Sequence, residues 1–259
     1  MFELSACVEW LFAAEEPEFA ARIARASAAG LPAVEFWTWK DKDVDAIRMV
    51  LDETGVQVTA FMSQPEARLV DPTTHDRFME GIEVSAQVAE SIGCRNLIVL
   101  AGDRLDQIST ADQRRAVAKA LKQAAPRAAA HGVSLLLESL NTRIDHVGHF
   151  LKRTADGLNI IEEVAEPNVR FLLDLYHSAV MNEQLDEQVG NRIHLVGHVH
   201  VADVPGRHEP GTGNIDWPGT IGWLQQAGYT GWLGLEYQPT GDTLASLSFI
   251  TDVLEPHRR

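Results

Sequence analysis

The sequence predicts a single (β/α)8 TIM barrel of the α/β class, formed as one domain over residues 1–259. Eight short apolar segments recur along the chain, and helical patterns lie between them. Several segments are apolar at nearly every position, which is typical of parallel strands covered on both faces. Their mean spacing of about 32 residues suits this fold. The segments span residues 4–8, 33–37, 56–62, 96–101, 133–140, 169–175, 195–201 and 232–237.

The intervening stretches carry apolar side chains at the three- and four-residue intervals of a helix. Gly30 is expected to end the first helix, and Pro72 suits the first turn of another. Thr110 and Gln113 form a capping-box signal, and Pro126 is expected to kink or shorten the helix that follows. The apolar series are Phe19, Ile23 and Ala26; Phe78, Ile82, Ser85, Ala89 and Ile92; and Val117, Leu121 and Ala124.

A doubly wound open sheet is the rival architecture for a chain that alternates strands and helices. That fold commonly carries a G-x-G-x-x-G turn after its first strand. The first predicted strand of this chain is followed by no such turn. The barrel is therefore the favoured prediction.

The composition limits the classes of partner. Lysine and arginine number 22 and aspartate and glutamate 37, which gives a net charge of −15. Such a charge repels nucleic acid and anionic membranes, although a local cation can still attract a small anion. Cys7 and Cys94 are expected to be buried thiols of a reducing compartment. With no basic signal-peptide region and no membrane-length apolar run, a soluble, cytoplasmic protein is expected.

Four polar residues interrupt the last four apolar segments, at or near the carboxyl end of each. They are Glu138, Asp174, His200 and Glu236, separated by 36, 26 and 36 residues. In a barrel, the carboxyl ends of all strands meet at one mouth, where active sites are built. We therefore expect the four side chains to converge.

Any one of these acids could be an ordinary structural carboxylate. Three carboxylates brought together without a cation, however, would repel one another at a cost of several kcal/mol. The set therefore predicts one divalent metal ion. Three carboxylates and one imidazole suit Mg²⁺ or Mn²⁺ best, with Co²⁺ and Zn²⁺ also compatible.

Other polar residues lie near these four in the sequence. His177 is a candidate for binding a substrate hydroxyl, and Arg207, in a loop rich in glycine and proline, is a candidate clamp on substrate. His198 is expected one layer deeper than His200, as a packing residue or a support for the metal ligands. Asn141 could orient Glu138 or cap the next helix. Glu35, far from the four in sequence on the second predicted strand, could lie in the cavity wall.

Two metal-bound glutamates facing each other across a substrate suit proton transfer next to a carbonyl. One carboxylate removes the proton, the metal stabilises the ene-diolate, and the other carboxylate returns a proton. Return to the neighbouring carbon interconverts an aldose and a ketose, whereas return to the same carbon gives an epimer. Glu138 and Glu236 are the predicted pair.

The chain resembles the hydroxypyruvate isomerase family of xylose-isomerase-like TIM barrels over most of its length. The matching segments are "LSACVEWLF", "GLPAVEFW", "LLLESLN", "LLDLYH", "HVHVADVPGRHEPGTGNIDW" and "GWLGLEYQP". The resemblance implies that Glu138, Asp174, His200 and Glu236 are the metal ligands in this order, that the two glutamates transfer the proton, and that a histidine and an arginine, His177 and Arg207, contact the substrate.

The implied reaction converts hydroxypyruvate, or a related short oxo acid, into tartronate semialdehyde or the corresponding aldehyde. Hydroxypyruvate isomerases often carry glutamine at the position of His200, where the epimerases carry histidine. A ketose 3-epimerase or an inosose isomerase is therefore the alternative. A metal-dependent phosphodiesterase, a non-catalytic barrel and a homo-oligomer also stay open, although the net charge of −15 argues against binding to DNA.

Overall fold

Eight parallel strands close into a barrel in the computed structural model of the protein, which describes residues 2–65 and 67–254. Each strand pairs with its neighbours in sequence, and β8 pairs with β1. This confirms the predicted fold class. The strands are β1 (Leu4–Cys7), β2 (Ala33–Phe36), β3 (Gln57–Met62), β4 (Asn96–Leu100), β5 (Ser134–Glu138), β6 (Val169–Asp174), β7 (Val196–Val201) and β8 (Leu233–Leu235).

Helices follow the strands and cover the outside of the barrel. They are α1 (Phe19–Ala28), α2 (Val44–Thr54), α3 (His75–Ser91), α4 (Thr110–Ala130), α5 (Thr154–Val164), α6 (Leu175–Val180), α7 (Leu185–Val189), α8 (Trp217–Ala227), α9 (Thr243–Ser246) and α10 (Ser248–Leu254). Short 3₁₀ turns lie at Pro72–Thr74 and Ile193–Leu195. Gly30 follows α1 with φ +80°, a left-handed conformation that glycine adopts without steric cost.

The predicted start of α4 was wrong by one residue. The Ser109 hydroxyl, not that of Thr110, accepts the N–H of Asp112 and caps the helix. Gln113 is fully buried and bonds instead to the backbone of Leu105 at both N–H and C=O. The Gln113 side chain, which the capping-box pattern assigned to the start of the helix, therefore binds the preceding loop instead.

Pro126 does not end α4, which continues to Ala130. The proline ring lies on the exposed face, whereas Ala124, Ala125 and Ala128 are buried on the other. Burial of that alanine face stabilises the last turns, because tertiary packing outweighs one lost backbone hydrogen bond.

The barrel interior is divided into an apolar and a polar part. Ala60, Ile98, Leu136 and Leu172 form an apolar cluster separate from the large core between strands and helices. Alternate side chains of a strand share a face, so Glu138 lies above Leu136 and His200 lies above His198. The apolar layer thus supports the carboxyl-end mouth from below.

The two cysteines are free and buried, as predicted. Burial raises the pKa of Cys94 to about 12 and also raises that of Cys7. Within residues 2–65 and 67–254, no helix has the length and apolar character needed to cross a membrane.

Candidate metal centre

The four predicted ligands meet at the carboxyl-end mouth of the barrel. Glu138 and Asp174 are the last residues of β5 and β6, His200 is the last but one of β7, and Glu236 directly follows β8. Each offers one donor atom, and these four atoms lie within 4.8 Å of one another. All four residues are buried. The convergence expected from the sequence is therefore present.

The His200 imidazole lies among the three carboxylates. Its Nδ1 is 3.2 Å from Glu236 Oε2, 3.7 Å from Glu138 Oε1 and 3.9 Å from Asp174 Oδ2. This nitrogen has no hydrogen bond within the described part of the chain. A cation at this point would have one nitrogen and three oxygen donors, which fits Mg²⁺, Mn²⁺ or Co²⁺ and also permits Zn²⁺.

The two glutamates have opposite electrostatic environments. Burial raises the pKa of Glu138 to about 7, with repulsion from Glu236 and Asp174 adding to the effect and His200 opposing it. Burial would also raise the pKa of Glu236, but the charges of Arg207 and His200 lower it well below its usual range. Two neighbouring carboxyl groups are thus biased towards different protonation states, a common arrangement in acid–base catalysis.

A second buried layer lies beneath His200. His198 Nε2 is hydrogen-bonded to Glu35 Oε2 at 2.8 Å, and His200 Nε2 lies 3.2 Å from Glu35 Oε1. Although burial opposes its ionisation, Glu35 has a pKa lowered to about 2 by His200 and His198. The sequence suggested that Glu35 lies in the cavity wall, but it is absent from the residues that line the cavity. Glu35 is instead a buried carboxylate that orients His200. His198 occupies the deeper layer predicted for it.

Arg207 extends from the loop after β7 towards the carboxylates. Its guanidinium bonds to Glu236, lies 3.6 Å from Asp174 Oδ2, and contacts the rings of Trp10 and Tyr176, each centred 5.1 Å away. Burial would lower the pKa of Arg207, but Glu236 and Asp174 raise it, so the group stays charged. A fixed cation facing the mouth is suited to binding a substrate carboxylate.

His177 follows Asp174 on α6, and its ring is held from behind. Asn141 Nδ2 donates to His177 Nδ1 at 2.7 Å, which leaves the ring proton on Nε2 in the neutral form. Burial lowers the pKa of His177 to about 4. The ring borders the cavity. Its Nε2 lies 3.6 Å from Asp174 Oδ2 and has no protein hydrogen bond among the described residues, so this N–H can be donated to a substrate. Asn141 therefore orients His177 rather than Glu138.

Asp203 was not singled out from the sequence, yet it organises the loop that carries Arg207. Its fully buried carboxylate accepts hydrogen bonds from the N–H groups of Val204, Gly211 and Ile215 and from Trp217 Nε1. The available sequence signal was an acid two residues after an apolar strand, at the start of a glycine-rich loop. Its contacts reach up to 14 positions along the chain.

The mouth opens into a cavity of about 640 Å³ beside the four predicted ligands. Trp10 and Trp37 form one wall, and Trp37 Nε1 donates to Glu236 Oε1 at 2.7 Å. Both tryptophans belong to segments that carried the family resemblance. Their roles depend on contacts with residues near the end of the chain, Arg207 for Trp10 and Glu236 for Trp37. Aromatic walls and a few convergent polar groups are typical of small-molecule sites.

The family described as xylose isomerase-like TIM barrel matches residues 23–253. The chain belongs to this family. In this chain the xylose isomerase-like barrel brings Glu138, Asp174, His200 and Glu236, which could hold a metal ion, together at its mouth. The resemblance predicted from the sequence is thus confirmed.

Two related isomerases align with nearly the whole length of this xylose isomerase-like chain. A 2-oxo-tetronate isomerase of Cupriavidus necator is 34% identical over 251 residues, covering 92% of this chain and 94% of the relative. A hydroxypyruvate isomerase of Escherichia coli is 27% identical, with 100% of each chain covered. The crystal structure of an AP endonuclease, family 2, from Brucella melitensis superposes with a TM-score of 0.89 at 28% identity, covering 100% of both chains. The relationship to isomerases agrees with the enzyme class predicted from the sequence.

Proposed function

We propose that this protein is a metal-dependent isomerase of hydroxypyruvate or a related short sugar acid. The observation that carries the proposal is the convergence of Glu138 and Glu236, with Asp174 and His200, around one point beside a cavity. The names of the relatives, a hydroxypyruvate isomerase and a 2-oxo-tetronate isomerase, support the substrate class.

The proposed reaction moves one proton between adjacent carbons. One of the two glutamates removes a proton from the hydroxyl-bearing carbon next to the carbonyl, and the other delivers a proton to the former carbonyl carbon. The hydroxyl proton passes to the former carbonyl oxygen, so that the hydroxyl becomes the new carbonyl and the old carbonyl becomes a hydroxyl. Hydroxypyruvate would thereby become tartronate semialdehyde. Glu138, Asp174, His200 and Glu236 would hold a divalent cation, which supplies polarisation of the substrate carbonyl and hydroxyl.

The surroundings of the two glutamates favour this exchange. Glu236 is kept ionised by Arg207 and fixed by Trp37, whereas in the absence of a cation burial raises the pKa of Glu138 to about 7. One group can thus accept a proton while the other donates one. Both carboxylates reach the same point in space, so no large movement of the substrate is needed.

Arg207 and His177 are the proposed substrate-binding residues. The Arg207 guanidinium can pair with the substrate carboxylate, and its aromatic neighbours Trp10 and Tyr176 restrict its position. His177 presents Nε2–H at the cavity and can donate to a substrate hydroxyl. A negatively charged protein can therefore bind an anionic substrate, because the local charges at the mouth differ from the net charge.

A ketose 3-epimerase is the second candidate, and His200 is the residue that favours it. The sequence resemblance associates histidine at this position with epimerases, and the same glutamate pair could return the proton to the carbon it left. Epimerisation would require the two glutamates to act on opposite faces of one carbon. Activity on free ketoses without turnover of oxo acids would establish this reaction instead.

The named AP endonuclease structure makes phosphodiester hydrolysis a further reaction to test. A DNA-binding groove requires clustered basic residues, because phosphate contacts dominate such binding. The mouth of this barrel has three carboxylates around one imidazole, and the chain has a net charge of −15. These features favour a small substrate over DNA.

The decisive assay follows tartronate semialdehyde formation from hydroxypyruvate by the purified protein after loading with Mg²⁺, Mn²⁺, Co²⁺ or Zn²⁺. Glu138→Gln and Glu236→Gln should each lower kcat by about 10²–10⁴-fold, the usual contribution of a general acid or base. His131→Gln, at a histidine that bonds to Glu83 and Glu90 on α3, serves as the control. Near-normal activity in either glutamate variant would refute the assigned roles.

Metal dependence is tested separately by dialysis against a chelator and measurement of the melting temperature. Without a cation the three carboxylates repel one another, so the stripped protein should melt at a lower temperature and regain stability when metal is restored. The Asp174→Asn variant should bind metal more weakly. An unchanged melting temperature together with no detectable metal binding would contradict a metal centre.

A further inference from the structure

A second cavity adjoins the one at the metal centre. It has a volume of about 400 Å³ and shares Met62, Leu100, Leu140 and His146 with the larger cavity of about 640 Å³. The His146 ring lies 5.4 Å from that of His177, measured between centroids. A molecule that extends from the metal centre past His177 therefore meets His146 and then the second cavity.

The combined space is larger than a three-carbon acid requires. Cavities of about 300–1,000 Å³ bind molecules of drug size. The larger cavity alone falls in the middle of this range, and the second one adds to it. A substrate as small as hydroxypyruvate would contact the ligands, Arg207 and His177, and would not extend into the second cavity.

The wall of the second cavity has the chemistry of a hydroxyl-binding site. His149 lies in its wall and is 7% exposed, and its Nε2 has no protein hydrogen bond within the described ranges. Such a buried, unpaired group costs about 1–3 kcal/mol unless a ligand or water bonds to it. Arg68 and Asp103 lie at the same cavity, 3.9 Å apart, and add a donor and an acceptor.

The balance of these groups favours a neutral polyol over an anion. Burial lowers the pKa of His149 to about 4, so near neutral pH the ring is uncharged and its unpaired Nε2 can donate or accept a hydrogen bond, depending on the tautomer. Asp103 offsets the charge of Arg68. Hydroxyl groups both donate and accept hydrogen bonds, and such a mixed set satisfies them better than it satisfies a carboxylate or phosphate.

His149 is held in place by the backbone of two loops. Phe150 N–H donates to Gly102 C=O at 3.0 Å, and Arg104 N–H donates to Gly148 C=O at 2.9 Å, so the loops after β4 and β5 are joined. A Cβ at Gly102 would lie 2.8 Å from Arg68 Cα, which shows how closely a third segment packs there. The cavity is therefore enclosed by interlocked loops that position the imidazole.

We propose that the second cavity is a subsite for the hydroxylated end of the substrate, with His149 as a residue that selects substrates of four or more carbons. This inference rests on the proposed isomerase function, because it takes the metal centre as the position of the reacting carbons. The three-carbon acid is then a poorer substrate than its longer, polyhydroxylated homologues.

The first test compares kcat/KM of the metal-loaded enzyme for hydroxypyruvate and for its four-carbon homologue with one more hydroxyl-bearing carbon. The wild type should prefer the four-carbon acid by about tenfold or more. His149→Phe should lower kcat/KM for that acid at least about tenfold and for hydroxypyruvate less than about threefold. His149→Gln, which keeps a donor and an acceptor, should restore part of the loss. Equal losses on both substrates would reduce His149 to a structural role and overturn the proposal.

A second variant covers the case in which His149→Phe does not fold. Ala67 lies partly exposed in the wall of the second cavity and does not belong to the metal centre. Ala67→Phe should fill the cavity and selectively reduce kcat/KM for the four-carbon acid. Retention of the wild-type preference in this variant would contradict the subsite.

A binding measurement separates failure of this inference from failure of the proposed function. Dissociation constants of glycerol, erythritol and xylitol are measured by calorimetry on the metal-loaded protein, without turnover. Affinity should rise with chain length in the wild type and rise less in His149→Phe. A length dependence that His149→Phe abolishes would support the subsite even if no oxo acid were isomerised. Equal affinities for all three polyols would refute it even in an active isomerase.

Discussion

Replacing Gly234 with alanine tests the buried layer beneath the candidate metal centre. Gly234 pairs with His200 across β7 and β8 and faces Glu35. A Cβ at this position would lie 2.3 Å from Glu35 Oε1 and 2.6 Å from Oε2, whereas ordinary contacts exceed 3.4 Å. The added methyl group would therefore overlap with the Glu35 carboxylate unless one of them moves.

The Glu35 carboxylate has little freedom to move away. Its Oε2 accepts a hydrogen bond from Thr59 Oγ1 at 3.0 Å and is bonded to His198 at 2.8 Å. Overpacking a core by a methylene typically costs about 1–3 kcal/mol. Losing one hydrogen bond to a buried charge adds about 1.5–3 kcal/mol. We therefore expect Gly234→Ala to lower the free energy of unfolding by about 3 kcal/mol.

Urea unfolding of the metal-free protein at pH 7, followed by tryptophan fluorescence, measures this loss. Gly222→Ala is the matched control, because a Cβ there meets nothing within 4 Å and alanine is favoured in the middle of α8 by about 0.5–1 kcal/mol. Gly234→Ala should also weaken divalent metal binding about 10–100-fold, since Glu35 orients His200. Stability within about 0.5 kcal/mol of the wild type, a deviation ordinary for a surface substitution, would refute the reasoning.

Three further predictions concern other buried groups. The pKa of His149 is lowered by burial from 6.5 to about 4, so between these values the unfolded chain binds more protons. Stability should therefore fall by up to about 3 kcal/mol as the pH drops through this range, and urea titrations should show a shallower fall for His149→Gln. Asp203→Asn places an amide against N–H donors and should lower the free energy of unfolding by about 3 kcal/mol. Steady-state kinetics should show a higher KM because the loop that carries Arg207 is loosened. An unchanged KM would show that Asp203 does not position Arg207. Cys7 and Cys94 should react with a thiol reagent such as DTNB only after unfolding, and rapid labelling of the native protein would contradict their burial.

The strands and the convergence of the four candidate ligands could be predicted from the sequence for a simple reason. A parallel strand covered on both faces is apolar throughout, so Glu138 or Asp174 at its end is conspicuous. Because all strands of a barrel end at the same mouth, residues far apart in sequence can be placed together without knowing any contact.

The role of Glu35 and the cap of α4 could not be predicted in the same way. Glu35 and His198 lie 163 positions apart, and nothing in either segment indicates the partner. At α4, Ser109 and Thr110 are both good caps, and the choice depends on the burial of Gln113 against the preceding loop. Such details are decided by packing, which local sequence patterns do not contain.

The proposed metal ligands all come from β5–β8 and the residue after β8, whereas Trp10, Trp37 and most of the second cavity come from the segments of β1–β4. The two halves of the barrel therefore contribute different parts of the site. Substitutions in the first half can alter the size and polarity of the pocket without changing a single proposed ligand. New substrate preferences can evolve on this scaffold by changes in one half, while the reaction chemistry is inherited through the other.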